Sequence, residues 1–155
     1  MTTTIKSSPP ALTVLCFDFG LRKVGVAVGQ TITKTASPVG IVRVQDGELS
    51  SPDLTKLLQT WRPNALIVGI PFNMDGSRSP LCERAEAFAQ SLEIRSGLPV
   101  YRVDERLTTR SARYELTEIH ERTATKTKTQ RLDAFAACLI TETWLQDFDP
   151  AQILG

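Results

Sequence analysis

The chain has 155 residues, 41% hydrophobic and 23% charged, which fits one ordinary domain around a single core and leaves no room for a second. A formal net charge of +1 does not by itself announce a nucleic-acid partner, because clustering of charge matters more than its sum. The single histidine, His120, excludes a His-rich zinc centre and would leave any serine or cysteine triad dependent on one imidazole, so it reads as a helix-surface residue. No run of the roughly eighteen apolar residues that a membrane helix needs occurs, and the start MTTTIKSSPP lacks the apolar core of a secretory signal. The expectation is a cytoplasmic protein with no membrane association. Cys16, Cys82 and Cys138 show no C-x-x-C spacing and read as reduced, structural residues.

Residues 1–10, polar and closed by Pro9-Pro10, read as a flexible leader. Leu12 to Asp18 is almost continuously apolar, the pattern of a strand buried on both faces. Gly20 makes a turn, and Val24, Val26 and Val28, alternating with Gly25, Ala27 and Gly29, give a second strand that forms a hairpin with the first. Val39 to Val44 follows Pro38 as a third strand, ended by an Asp46-Gly47 turn. Ser50-Ser51-Pro52 and Asp53 cap an amphipathic helix with Leu54, Leu57, Leu58 and Trp61 inward, ending at Pro63. Ala65 to Gly69 is a buried fourth strand, and Ile70 to Ser79 a loop of turn formers. A second helix runs from about Pro80 to Ser96, with Leu81, Ala85, Phe88, Ala89 and Leu92 inward and Gly97 as its stop.

Val100 to Val103 is the fifth strand and delivers Asp104 and Glu105 at its carboxyl end. Thr108 or Thr109 caps a third helix reaching about Arg122, Thr123 to Gln130 is a polar link, and Arg131 to Leu145 is a closing helix with Phe135, Ala136, Leu139 and Ile140 toward the core. The order β-β-β-α-β-α-β-α-α predicts an α/β fold, a five-stranded mixed sheet flanked by helices, as a single domain over residues 11–150 with a short tail at 151–155. Ligands of such sheets gather beyond the carboxyl ends of strands. If strands one and five lie close together, Asp18 and Asp104-Glu105 converge there.

These acids, with Asp133 at the opening of the last helix, amount to a carboxylate set for a hard divalent cation, which binds through a few carboxylates plus substrate phosphates. Each has a plainer reading. Asp18 could be a turn aspartate, Asp104-Glu105 could be compensated by Arg106, and Asp133 could be a helix-opening acid favoured by the macrodipole. The three together favour a shared site. Arg22 and Lys23 follow Asp18 within one tight loop. The loop Pro71 to Ser77, with Phe72, Asn73 and Met74 among turn formers, is placed to hold substrate. Arg102, Arg106, Arg110 and Arg113 lie near the acids, and Arg122, Lys126, Lys128 and Arg131 form a basic stretch without an acid that could order on a phosphate backbone.

Four segments together, FDFGLRKVGVAVG at 17–29, LIVGIPFNMDGS at 66–77, VDERLTT at 103–109 and RLDAFAACLI at 131–140, resemble the bacterial YqgF-type family of pre-16S rRNA nucleases, also described as Holliday-junction-resolvase homologues. The resemblance spans nearly all the chain after the leader and implies an RNase H-like fold. It implies Asp18 as the first-strand acid, Glu105 with Asp104 beside it as the second, and Asp133 as the helical one, holding Mg2+ or Mn2+ for two-metal phosphodiester hydrolysis. Asn73, Arg106 and the Lys126–Arg131 segment would hold the backbone of structured RNA such as pre-rRNA, or of branched DNA, in a monomer or weak homodimer. Ala134 stands where the family usually has a small hydroxyl residue, and Arg131 where it has a lysine. Three rivals are a nucleotide-binding relative of the sugar-kinase and actin class, for which the chain is too short, a junction resolvase, and a non-catalytic RNA-binding ribosome-assembly factor.

Overall fold

A strand with four apolar residues in a row sits in the middle of the sheet. A computed structural model of the chain describes residues 11–107 and 126–148, the side chains of 107 and 126–133 excepted. Strands β1 (Thr13–Asp18), β2 (Lys23–Gln30), β3 (Thr35–Arg43), β4 (Ala65–Ile70) and β5 (Val100–Asp104) form one sheet of order β3-β2-β1-β4-β5. β1 pairs antiparallel with β2 and parallel with β4, β2 with β3 antiparallel and β4 with β5 parallel, which is the expected mixed sheet. Leu15 and Phe17 of β1 face helices α1 (Ser51–Trp61) and α2 (Pro80–Ser96), while Val14 and Cys16 face α3 (Lys126–Gln146). A β1 that is apolar at successive positions is therefore covered on both sides.

Local chemistry fixes the helices on the first face. The Ser50 hydroxyl accepts from Asp53 N–H at 3.2 Å and the Ser79 hydroxyl from Cys82 N–H at 3.2 Å, each ahead of a proline in the first turn. Gly97, with φ 69°, closes α2 in the left-handed conformation. Phe88 of α2 meets Phe17 edge-on with ring centroids 5.9 Å apart and Phe19 at 5.1 Å. Trp61, expected inward, is 36% exposed at the end of α1, and Leu81 is only partly buried.

On the second face the helix comes unusually close, because the sheet there carries glycine. A Cβ built at Gly29 would stand 2.5 Å from Thr141 Cγ2, 3.0 Å from Val14 Cγ2 and 3.2 Å from Leu145 Cδ1. This corrects the inward face expected of the last helix. Ala134, Ala137, Cys138, Ile140, Thr141 and Leu145 are buried, whereas Phe135, Ala136 and Leu139 are half-buried. The buried Thr141 hydroxyl donates to the Ala137 carbonyl at 2.7 Å. All three cysteines are buried free thiols.

Two boundaries also differ from expectation. β3 begins at Thr35, so Pro38 lies inside it; the register slips between Val26 and Ala27, which face Gly40 and Pro38, leaving Val39 as a bulge on an edge strand, where a missing N–H is tolerated. α3 begins at Lys126, so residues 126–130 are helical rather than a link, and Asp133 lies roughly two turns inside the helix instead of opening it. Lys, Gln and Thr propagate a helix without any apolar stripe to announce it. A 3-10 turn at Glu105–Leu107 was not foreseen. The leader, the expected helix from 108 or 109 to 122 with His120, and the tail lie outside the described residues.

Gly29→Ala is expected to lower stability by about 1–3 kcal/mol through overpacking against Thr141 and Leu145. Thermal unfolding would show this as a fall in Tm of roughly 2–4 °C per kcal/mol.

Candidate active site at the carboxyl edge of the sheet

The parallel register of β1 and β4 sets Asp18 opposite Gly69 at the carboxyl edge, both on the α3 face by strand alternation. The missing side chain at Gly69 is filled from β5. A Cβ built there would lie 2.9 Å from Glu105 Oε1, 3.1 Å from Glu105 Cγ and 2.9 Å from Ile140 Cδ1. Glu105, just past the end of β5, thus lays its side chain across β4 toward the strand that carries Asp18, about 4.8 Å further on. Cys16, two residues back on the same face, senses both acids. Burial drives its thiol far above the ordinary range, a hydrogen bond with Thr141 opposes this, and the charges of Asp18 and Glu105 add to it. Burial likewise pushes the Cys138 thiol up to about 12, so neither sulfur is a nucleophile.

Asp104, the neighbour of Glu105, alternates to the opposite face and is occupied. Arg106 Nε donates to Asp104 Oδ1 and Oδ2 at 3.1 Å each and Nη2 to Oδ2 at 2.6 Å, and the Arg106 backbone N–H donates to Oδ1 at 2.9 Å. Hydrogen bonds from the Arg106 side chain hold the Asp104 carboxyl below its usual range. The Arg106 guanidinium also lies over the Phe72 ring, 5.6 Å from its centroid. In that loop Asn73 Nδ2 donates to Ser77 Oγ at 3.0 Å, and Asp75 accepts from Ser77 N–H at 2.9 Å and from its hydroxyl at 2.6 Å. Met74 is exposed, whereas Phe72 is partly buried and packs against the core. Arg102 faces away from Asp18 and Glu105 and pairs with Glu86 and Glu93 of α2 at 3.3 and 2.9 Å.

Beyond Asp18 the chain turns at Gly20, where a Cβ would stand 2.5 Å from the Lys23 carbonyl oxygen. Arg22 and Lys23 are exposed at this hairpin tip and, with Asp18, Phe19, Leu21 and Leu81, line an open cleft of about 520 Å³. Ile140 reaches Gly69 at the carboxyl edge, while Thr141 and Leu145 reach Gly29 and Val14 nearer the start of β1. α3 therefore runs back along the sheet from that edge. Position 133 is two turns before Ile140 on the same side of the helix, toward the edge that Asp18 and Glu105 occupy. Lys126, Lys128 and Arg131 precede it in the helix; their side chains, and that of Asp133, lie outside the described residues, as do Arg110, Arg113 and Arg122. The residue that sequence reasoning passed over is Gly69. Its signal was a glycine inside a fully buried strand, which marks close approach by another group.

Residues 12–147 match the family model described as RuvX: Holliday junction resolvase. A Coxiella burnetii protein named "Putative pre-16S rRNA nuclease" is 48% identical over 136 residues, covering 88% of this chain and 94% of that protein. A Haemophilus ducreyi protein of the same name is 45% identical over 138 residues, covering 88% and 98%. Among solved structures, Thermus thermophilus RuvC in complex with a Holliday junction substrate superposes with a TM-score of 0.55 at 16% identity, covering 87% of this chain and 95% of that one, a likeness of fold. No described helix is long and apolar enough to cross a membrane. The chain belongs to the RuvX family of Holliday junction resolvases, a nuclease family with the RNase H-like fold.

Proposed function

We propose that this protein is a metal-dependent endonuclease of structured RNA that acts in maturation of the 5′ end of pre-16S rRNA, using Asp18, Glu105 and Asp133. The observation that carries the reading is Glu105 lying across Gly69 toward Asp18. Two carboxylates brought to one edge repel each other, and a cation held between them relieves the repulsion. Their oxygen donors suit a hard divalent ion, Mg2+ or Mn2+. Asp18, on the central strand, would hold such ions together with Glu105 and Asp133. When bound, such ions supply an activated water and stabilise the leaving oxygen of a phosphodiester. Arg22 and Lys23 at the hairpin tip, with Lys126, Lys128 and Arg131 on the first turns of α3, would neutralise and orient backbone phosphates, with Asn73 contributing from its loop. The names of the 48% and 45% identical relatives support pre-rRNA as substrate. Residues 11–150 would act as a single cytoplasmic nuclease domain, as a monomer or weak homodimer.

A second reading, resolution of four-way DNA junctions, is favoured by the description of the family model and by the likeness of fold to a RuvC seen on a junction. Paired cuts need two active sites, hence a dimer.

End-labelled pre-16S leader RNA and a four-way DNA junction, each incubated with Mg2+, Mn2+ or chelator, separate the readings. The RNA is expected to be cut with either metal and spared by chelator, with the junction intact. Junction cleavage without RNA cleavage transfers the activity to the second reading. Binding of RNA with no cleavage under any metal reduces the protein to a non-catalytic assembly factor. Asp18→Asn and Glu105→Gln are each expected to lower the rate on the order of 100-fold or more while folding normally, since loss of a direct ligand exceeds the roughly 10–100-fold cost of losing an outer-shell partner. Gly69→Ala, which thrusts a methyl group within 2.9 Å of Glu105 Oε1, is expected to lower kcat by about 10–100-fold with circular dichroism close to wild type.

A further inference from the structure

We infer that Arg106 is a positioning residue which, clamped by Asp104, ties the Phe72–Ser77 loop to the end of β5 and so fixes the carboxylate of Glu105; this rests on the reading of Glu105 as a metal ligand. The first support is the backbone. The Asp104 carboxylate accepts the N–H of Arg106, two residues on, at 2.9 Å, closing a ring around the main chain of Glu105. The second is the side chain. A guanidinium carries its five N–H groups in a planar fork, and here one edge is engaged with Asp104 through Nε and Nη2 while a face covers Phe72. The remaining Nη1 lies 3.2 Å from where a Cβ would stand on Gly76, so the guanidinium takes the space that a side chain at this position would need.

The loop can act as a rigid support because it is tied to itself. Asn73 N–H donates to the Ser77 carbonyl at 3.0 Å and Gly76 N–H to the Asn73 carbonyl at 2.8 Å, and Phe72 anchors the whole against the core. Asp104 and Ile70 are register partners at the ends of β5 and β4, so the clamp joins two segments that leave neighbouring strands. Arg106, expected from sequence as a phosphate contact, has its charge paired with Asp104 in place and one edge of its fork already engaged. Lysine offers a point charge without the fork, and so cannot reproduce this arrangement.

The test uses the full-length protein with Arg106→Lys, Arg106→Gln and Asp104→Asn, each checked for native circular dichroism. Mn2+ affinity is measured by electron paramagnetic resonance, RNA affinity in chelator over a range of salt, and cleavage rate against Mn2+ concentration. Asp18→Asn serves as the control that removes a ligand. All three clamp variants are expected to bind Mn2+ about 10–100-fold more weakly and to lower kcat to a similar degree, with RNA affinity in chelator and its salt dependence unchanged. Arg106→Gln combined with Asp104→Asn should be no worse than either alone, because both break one unit. Unchanged Mn2+ affinity in the variants overturns the inference. So does a phosphate-contact pattern, in which Arg106→Gln weakens RNA binding and reduces the salt slope by about one while Arg106→Lys and Asp104→Asn behave as wild type. A wild type that binds Mn2+ through Asp18 yet cleaves nothing sinks the nuclease reading and leaves the positioning role standing; a wild type that binds no Mn2+ sinks both.

Discussion

β4 lies between the strand that carries Asp18 and the strand that ends before Glu105, so a side chain at position 69 would stand between the two acids. Glycine there removes the obstacle, and the parallel pairing of β1, β4 and β5 sets Asp18 and Gly69 level with Val103, two residues before Glu105, at one edge. The sheet contributes the fixed spacing of its strands, about 4.8 Å, and the side chain of Glu105 covers the remaining distance. Ile140 of α3 closes over the same gap. Packing on the helix face and the placement of the carboxylate are therefore set by one missing atom group.

The same economy governs how α3 sits. Gly29 and Gly69 leave two hollows on one face of the sheet, and Thr141, Leu145 and Ile140 enter them. The helix is thereby held in register along its axis, which matters because its earlier turns carry position 133 and the basic residues toward the acidic edge. A slide of one residue would move those positions by about 1.5 Å and turn them by about 100°. The glycine hollows oppose such a slide, since the branched side chains seated in them would first have to climb out.

Much of this was legible in the sequence. α2 was bounded correctly because Ser79-Pro80 and Gly97 are strong terminal signals, and β1, β2, β4 and β5 were placed to within one residue at each end because continuous apolar runs between turn residues leave little choice. Pro38 misled because proline reads as a breaker, whereas a bulged edge strand accommodates it. The first turns of α3 were missed because no apolar period marks them, and its inward face because the hollows that Thr141, Leu145 and Ile140 enter belong to the sheet opposite. Asp18 could be read as a strand-end acid from its place after an apolar strand. Which of Asp104 and Glu105 turns to the same face as Asp18 could not, because adjacent residues at a strand end part to opposite faces and only the register says which. Gly69 carried a signal, but what it admits comes from another strand.

The bulge at Val39 has a consequence of its own. β3 is an outer strand, and outer strands expose rows of N–H and C=O groups on which a foreign strand can template itself. Pro38 withholds one of those N–H groups, and the slip opposite Val26 and Ala27 bends the row out of line. Sheet extension from molecule to molecule is thereby hindered along this border. Two copies of the chain that meet along this border find no matching row of partners through which to join their sheets.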